Sequence, residues 1–143
     1  MAHYVTTIES SLTATEAFAY MADFSNAREW DPSVSEARLL GGGPVGLGSE
    51  FDLVAKFAGR AVPLRYRIVS FEPPRLVVLE AERPGFTSRD TITVEPAGEG
   101  STVRYDAALA FQGVRRLLDP LMQVLFSRTG AKADAGMRAA LNP

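Results

Sequence analysis

A chain of 143 residues that is 46% hydrophobic and 22% charged has the proportions of one globular domain, residues 1–143, able to bury a real core. The formal net charge of −2, with acids and bases interspersed, leaves no concentrated positive field for a phosphate backbone, which excludes nucleic acid as the expected partner. Zero cysteines exclude disulfides and thiolate chemistry; with an opening, MAHYVTTIESS, that lacks a charged-then-apolar leader, the expected location is the cytoplasm, and no apolar run is as long as a membrane span.

Residues 2–9, AHYVTTIE, are β-branched and aromatic enough for a first strand. The period then changes, and Ala14, Ala17, Phe18, Met21 and Ala22 fall on one helical face. Thr13 followed three positions later by Glu16 is a capping box for that helix. Ser25 reads as the cap of a second, very short helix, NAREW, which ends at Asp31 because the ring of Pro32 drives its predecessor out of the helical region. The only tryptophan, Trp30, therefore sits at a break in the chain.

From Val34 to Phe111 the period is two. Residues 51–57, 62–71, 75–83, 87–94 and 102–111 read as strands, separated by the turn chemistry of EPPR, PG and EPAGEGS. Val62, Leu64, Tyr66 and Ile68 oppose Pro63, Arg65 and Arg67; Val103, Tyr105, Ala107, Leu109 and Phe111 oppose Arg104 and Asp106. Connections this short imply an antiparallel sheet, since parallel neighbours need crossover helices.

The last element is a long helix over 119–142, with Asp119 as N-cap and Pro120 at the first helical position, after a solvated bend at Arg115 and Arg116. Leu121, Met122, Leu125, Thr129, Ala133, Met137, Ala140 and Leu141 form its apolar and small-residue stripe, opposite Arg128, Lys132, Asp134 and Arg138. Gly130 and Gly136 weaken it by about 1 kcal/mol each relative to Ala, which close approach to the sheet would compensate.

One strand, two small helices, about six more strands and a long terminal helix make an α+β order: a curved antiparallel sheet of about seven strands wrapped around the C-terminal helix, with the small helices closing one end. At this point the chain resembles the START-like SRPBCC superfamily, and within it the polyketide cyclase/dehydrase and lipid-transport group. The resemblance is carried by VTTIESSLTATEAFAYMADFSNAREWDPSV, GLGSEF, FEPPRLVVLE and DTITVEPAGEGSTVRYDAAL, and covers nearly the whole chain. It implies a helix-grip fold with an interior cavity, and leaves activity open, because this scaffold hosts cyclases, lipid carriers, hormone receptors, hydroxylase subunits and co-chaperones.

Trp30 is then either a wall at the cavity mouth or a plug in the core, and both place it indoors. Periodicity buries Phe51, Phe57, Tyr66, Tyr105, Phe111, Met122 and Phe126, with Leu125 beside them; the resemblance implies that as a group they line a cavity that binds an apolar ligand. Asp90 shares its strand phase with Ser88, Ile92 and Val94, so a carboxylate lies on an apolar face, where it is a candidate general base. The alternative is that it lies beyond the buried part of the strand or pairs with Arg65, Arg67 or Arg89. Tyr66 and Tyr105 carry hydroxyls able to polarise a ligand carbonyl or simply to find a backbone partner.

GGGPVG, residues 41–46, matches the letters of a dinucleotide fingerprint but contains Pro44 and runs into a strand, so it reads as a hairpin connection. His3 is the lone histidine and reads as a solvated edge imidazole; a multi-histidine metal site and a serine-histidine-acid triad both fall with it, and no metal or cofactor is expected. Three classes stand: a carrier of a lipid-like or aromatic polyketide-like molecule, a cyclase or dehydratase using Asp90, Tyr66 or Tyr105, and a co-chaperone-like interaction module. A cavity of several hundred cubic ångströms, about the size of ordinary ligand sites, favours the first two; a filled core favours the third. Oligomeric state is open.

Overall fold

The computed structural model describes residues 2–57, 59–113 and 119–143. Strand β1 (Ala2–Ser10) leads into helix α1 (Ala14–Ala22), a single 3-10 turn (Phe24–Asn26) and helix α2 (Ala27–Trp30). Six strands follow: β2 (Val34–Leu39), β3 (Glu50–Phe57), β4 (Arg60–Glu72), β5 (Leu76–Arg83), β6 (Phe86–Ala97) and β7 (Gly100–Phe111). Helix α3 (Asp119–Ala140) closes the chain. The strands form one curled antiparallel sheet in the order β1-β7-β6-β5-β4-β3-β2, so the only neighbours distant in sequence are β1 and β7.

Local chemistry explains the first helices. The Thr13 hydroxyl accepts from the amide of Glu16 at 3.2 Å while the Glu16 carboxylate accepts from the amide of Thr13 at 3.0 Å, the reciprocal capping box expected. Ser25 is not a cap. It lies inside the 3-10 turn, and the Asp23 carboxylate, one residue ahead of that turn, takes the Ser25 amide at 3.0 Å; α2 itself starts without a side-chain cap. Asp31 is extended (φ −112°, ψ 105°), as a residue before proline should be.

The period-two reading holds in the sheet: Tyr66 and Ile68 are buried while Arg65 and Arg67 are exposed, and the same alternation runs through β7. The GGGPVG segment lies in the connection between the antiparallel pair β2 and β3, where Gly41, Gly42 and Gly43 all have positive φ, a conformation that side chains resist. His3 lies on edge strand β1, exposed and hydrogen-bonded to Asp106.

Helix α3 lies against β1 and α2. At Gly130 the approach is to the sheet: a Cβ there would lie 2.4 Å from the Tyr4 ring. At Gly136 the approach is to α2 instead, where a Cβ would lie 2.0 Å from the carbonyl oxygen of Trp30. Around these contacts the Thr6 hydroxyl donates to Asp134, Ser10 Oγ donates to the Leu141 carbonyl at 2.6 Å, and Met137 and Leu141 are fully buried. The expected stripe fails at its start, because Leu121 is 55% exposed; the early turns meet their neighbours through Gln123, on the His3 backbone, and Phe126, on Phe57. The cap assigned to Asp119 and the bend at Arg115 and Arg116 lie outside the described side chains.

Candidate functional site: a cavity between the sheet and the terminal helix

The backbone of α3 comes closest to its neighbours in its C-terminal half, while its N-terminal half is tied to β1 through the Gln123 side chain on the His3 backbone (2.8 and 2.9 Å), and a space of about 130 Å³ is left between the concave face of β3, β4, β6 and β7 and the helices α2 and α3. Its walls are mainly apolar. Trp30, 2% exposed, forms one side, with its indole edge-on to Tyr105 (centroids 5.4 Å apart) and to Phe24 (6.0 Å). Trp30 belongs to the core cluster and also lines the cavity. Its indole N–H has no hydrogen-bond partner among the described residues.

The cavity's polar groups come in pairs. On adjacent strands, the Tyr105 hydroxyl donates to Asp90 Oδ2 at 2.7 Å. Nearby, the Tyr66 hydroxyl and Ser88 Oγ are 2.8 Å apart. The sheet register produces this grouping: Ser88 is opposite Leu109 and Asp90 opposite Ala107, so both inward side chains of β6 stand two residues apart beside Tyr105. Asp90 is 4% exposed; burial pushes its carboxyl up to about 7, the Tyr105 hydrogen bond pulls it down, and the nearby Asp31 charge adds to the rise. Burial and then the Asp90 charge hold the phenols of Tyr66 and Tyr105 well above their ordinary range, so both are neutral hydroxyls.

The arginines named as possible partners of Asp90 go elsewhere. Arg65 forms a two-bond pair with Asp52 at 2.8 and 3.0 Å, Arg89 pairs with Glu80 at 3.0 Å, and Arg67 is on the exposed phase of its strand. Asp90 therefore lies within the buried part of its strand, with a phenol rather than a guanidinium as its partner.

Several wall residues were missed from the sequence, Phe24, Phe86 and Asp31 among them. Asp31, read there only as a helix stop, turns its side chain to the cavity, accepts from the amide and hydroxyl of Ser33 at 2.9 and 2.7 Å, and has its own carboxyl raised by burial. The signal that could have found it is the helix break itself: a residue leaving a helix that ends inside the fold stands at an interior corner.

Of the aromatic and apolar set, Phe57, Tyr66, Tyr105, Phe111 and Phe126 line the cavity with Trp30. Phe51 does not; although in phase with Phe57, it is fully buried under Phe24, 6.2 Å ring to ring, at the filled end of the core. Leu125 is half-buried outside the cavity wall. Met122 lies further out, in a solvent-open depression of about 610 Å³ that shares Phe57, Val62, Phe86 and Phe111 with the cavity and forms its vestibule. Two ring pairs mark the boundary: Phe57 with Phe126, 6.2 Å apart, and Phe86 with Phe111, 6.1 Å apart.

The inner space is smaller than the several hundred cubic ångströms anticipated. It is close to the roughly 150 Å³ that holds one benzene-sized ring in a dry protein cavity. Among the described residues no cluster of three or more His, Cys, Asp or Glu could hold a metal, and no helix is long and apolar enough to cross a membrane.

Comparison with known proteins fits this geometry. Among solved structures, a START superfamily protein from Mycobacterium smegmatis superposes with a TM-score of 0.80 at 13% identity, over 99% of this chain and 97% of that one. The Zhui aromatase/cyclase from a Streptomyces species gives 0.73 at 12% identity over 97% and 92%. A major latex-like protein from Panax ginseng gives 0.71 at 13% over 99% and 98%. At these identities the likeness is one of fold. No curated protein sequence matches the chain. The family model described as polyketide cyclase / dehydrase and lipid transport matches residues 1–141. The chain thus belongs to that family, within the START-like SRPBCC superfamily.

Proposed function

We propose that this protein binds and carries an apolar, ring-containing small molecule, with one ring in the inner cavity and the remainder in the vestibule. The observation that supports the reading is the apolar space itself, left between sheet and α3 and walled by Trp30 and five phenylalanines. An enclosed apolar wall with a few convergent polar groups is the usual anatomy of a small-molecule site. The inner volume favours a single aromatic ring over a long acyl chain, and an interaction module would have no use for the space. Native mass spectrometry of freshly purified protein should show a bound small molecule, and a panel of aromatic and lipid compounds should raise the melting temperature. If nothing co-purifies and no compound in the panel shifts melting, the carrier reading is wrong.

A second reading, a cyclase or dehydratase, is favoured by one specific observation, the Asp90–Tyr105 and Tyr66–Ser88 pairs at the polar end of the cavity. A carboxyl titrating near neutrality is suited to taking a proton from carbon beside a carbonyl, while the Tyr66 hydroxyl holds the carbonyl oxygen. On this reading Asp90→Asn abolishes turnover of a poly-β-ketone substrate and leaves its binding measurable; full turnover in that variant removes Asp90 from the chemistry.

A further inference from the structure

The cavity face of the sheet ends in an arrangement that the ring-binding reading does not use. Two hairpins meet at the vestibule, β3–β4 and β5–β6, and each closes on a cross-strand pair of one phenylalanine and one arginine: Phe57 opposite Arg60, and Arg83 opposite Phe86. Directly opposed residues in an antiparallel pair share a face. Phe57 and Phe86 both line the inner cavity, so Arg60 and Arg83 belong to the same concave side, one step further out, and both line the vestibule. Along β4 the phase confirms it, since Arg60 follows Val62, Leu64 and Tyr66 outward at intervals of two.

Neither arginine is neutralised. Arg83 donates from Nη1 to the Pro63 carbonyl at 2.8 Å, and neither side chain has a carboxylate partner among the described residues. Three other exposed arginines of this sheet are paired, Arg65 with Asp52, Arg89 with Glu80 and Arg104 with Asp106, whereas Arg67, on the outer face of β4, has no carboxylate partner among the described residues. Among the described residues the vestibule walls contain no acidic side chain, whereas the inner cavity is lined by Asp31 and Asp90, with the exposed Lys56 also on its wall. Among these groups the acids and hydroxyls lie on the inner side, and the cations, Arg60 and Arg83 with Lys56, are the exposed ones.

Resting on the carrier reading above, we infer that the ligand is an amphipathic aromatic anion, bound ring-inward, with its carboxylate, sulfonate or phosphate held at the vestibule by Arg60 and Arg83. The reversed orientation brings the anion against the buried Asp90 and the part-buried Asp31, whose ionised forms it repels in a poorly hydrated space. Guanidinium groups at the open end meet the anion without stripping it of water and supply paired donors matched to its oxygens. A neutral analogue has the same inner contacts and no outer one.

The test uses two dyes with one ring skeleton, anilinonaphthalene sulfonate and neutral N-phenylnaphthylamine, titrated into the full chain with energy transfer from Trp30 as the readout. At low ionic strength the sulfonate should bind roughly 3- to 30-fold more tightly, the range that two exposed charge contacts supply. That preference should fall toward unity near 1 M salt, where the screening length is about 3 Å. It should also vanish in Arg60→Gln/Arg83→Gln and reverse in Arg60→Glu/Arg83→Glu, with melting curves showing that each variant is folded. Equal binding of the two dyes by the natural chain, or a sulfonate preference that survives in the glutamine variant, overturns the inference and leaves the carrier reading standing. Failure of the neutral dye to bind at any concentration overturns both.

Discussion

The two halves of α3 both reach β1 but are seated differently. In the C-terminal half, glycines at 130 and 136 let the helix backbone come down onto Tyr4 and Trp30, and Met137 and Leu141 fill what remains. In the N-terminal half no glycine occurs after Pro120, the large side chains of Phe126 and Met122 stand toward the cavity and vestibule, and Leu121 and Val124 are exposed. Small residues bring the helix close and large ones hold it off, so one continuous helix both seals the core and spares a cavity. The later half is seated by its backbone, the earlier half by long side chains such as Gln123 on the His3 backbone, and the ligand space is the shape of that second arrangement.

Four substitutions break or sharpen that contrast. The largest effect is expected at the cavity half, from Asp90→Asn. A buried carboxyl raised to about 7 binds its proton more readily folded than unfolded. Its contribution is therefore fully present below the unfolded value near 4 and lost as pH rises through 7. Denaturant unfolding should show stability falling between pH 4 and 8 by up to about 4 kcal/mol in the natural chain, and much less in the asparagine variant; Asp31, also raised, supplies the residue of the slope.

Gly136→Ala strikes the clamped half. The added methyl meets the rigid carbonyl of Trp30, and the strain outweighs the gain in helix propensity, for a net loss of about 2 kcal/mol by denaturant titration. Thr6→Val removes the hydroxyl that donates to Asp134 and keeps the shape, costing about 1 kcal/mol in the same assay. Val124→Ser, on the exposed side of the earlier half, should change stability by no more than about 0.5 kcal/mol. A Val124 effect as large as that of Gly136 would mean that the two halves are held alike.

Much of this was legible in the residues because it is local or periodic. The Thr13–Glu16 box, the helix stop before Pro32 and the alternation of β4 and β7 depend on neighbours within a few positions, and the sequence displays those directly. What periodicity conveys is which face a residue occupies. It does not convey how far along the element the filled core extends. Phe51 and Phe57 have the same phase, yet one is sealed under Phe24 and the other borders the cavity, and Leu121 shares the phase of Leu125 without its burial. Asp31 and the Arg60 and Arg83 pairs were invisible for a related reason: their surroundings are fixed by a chain corner and by hairpin register, which depend on partners that the residues themselves do not specify.

Trp30 touches both regimes, its carbonyl against Gly136 and its ring in the cavity wall. Any guest that displaces the indole must also act on the seat of the terminal helix, so the two events are thermodynamically linked and each alters the other by the same factor. Amide exchange in the last turns of the chain would then slow or quicken with occupancy, a distant backbone signal of what has entered the interior.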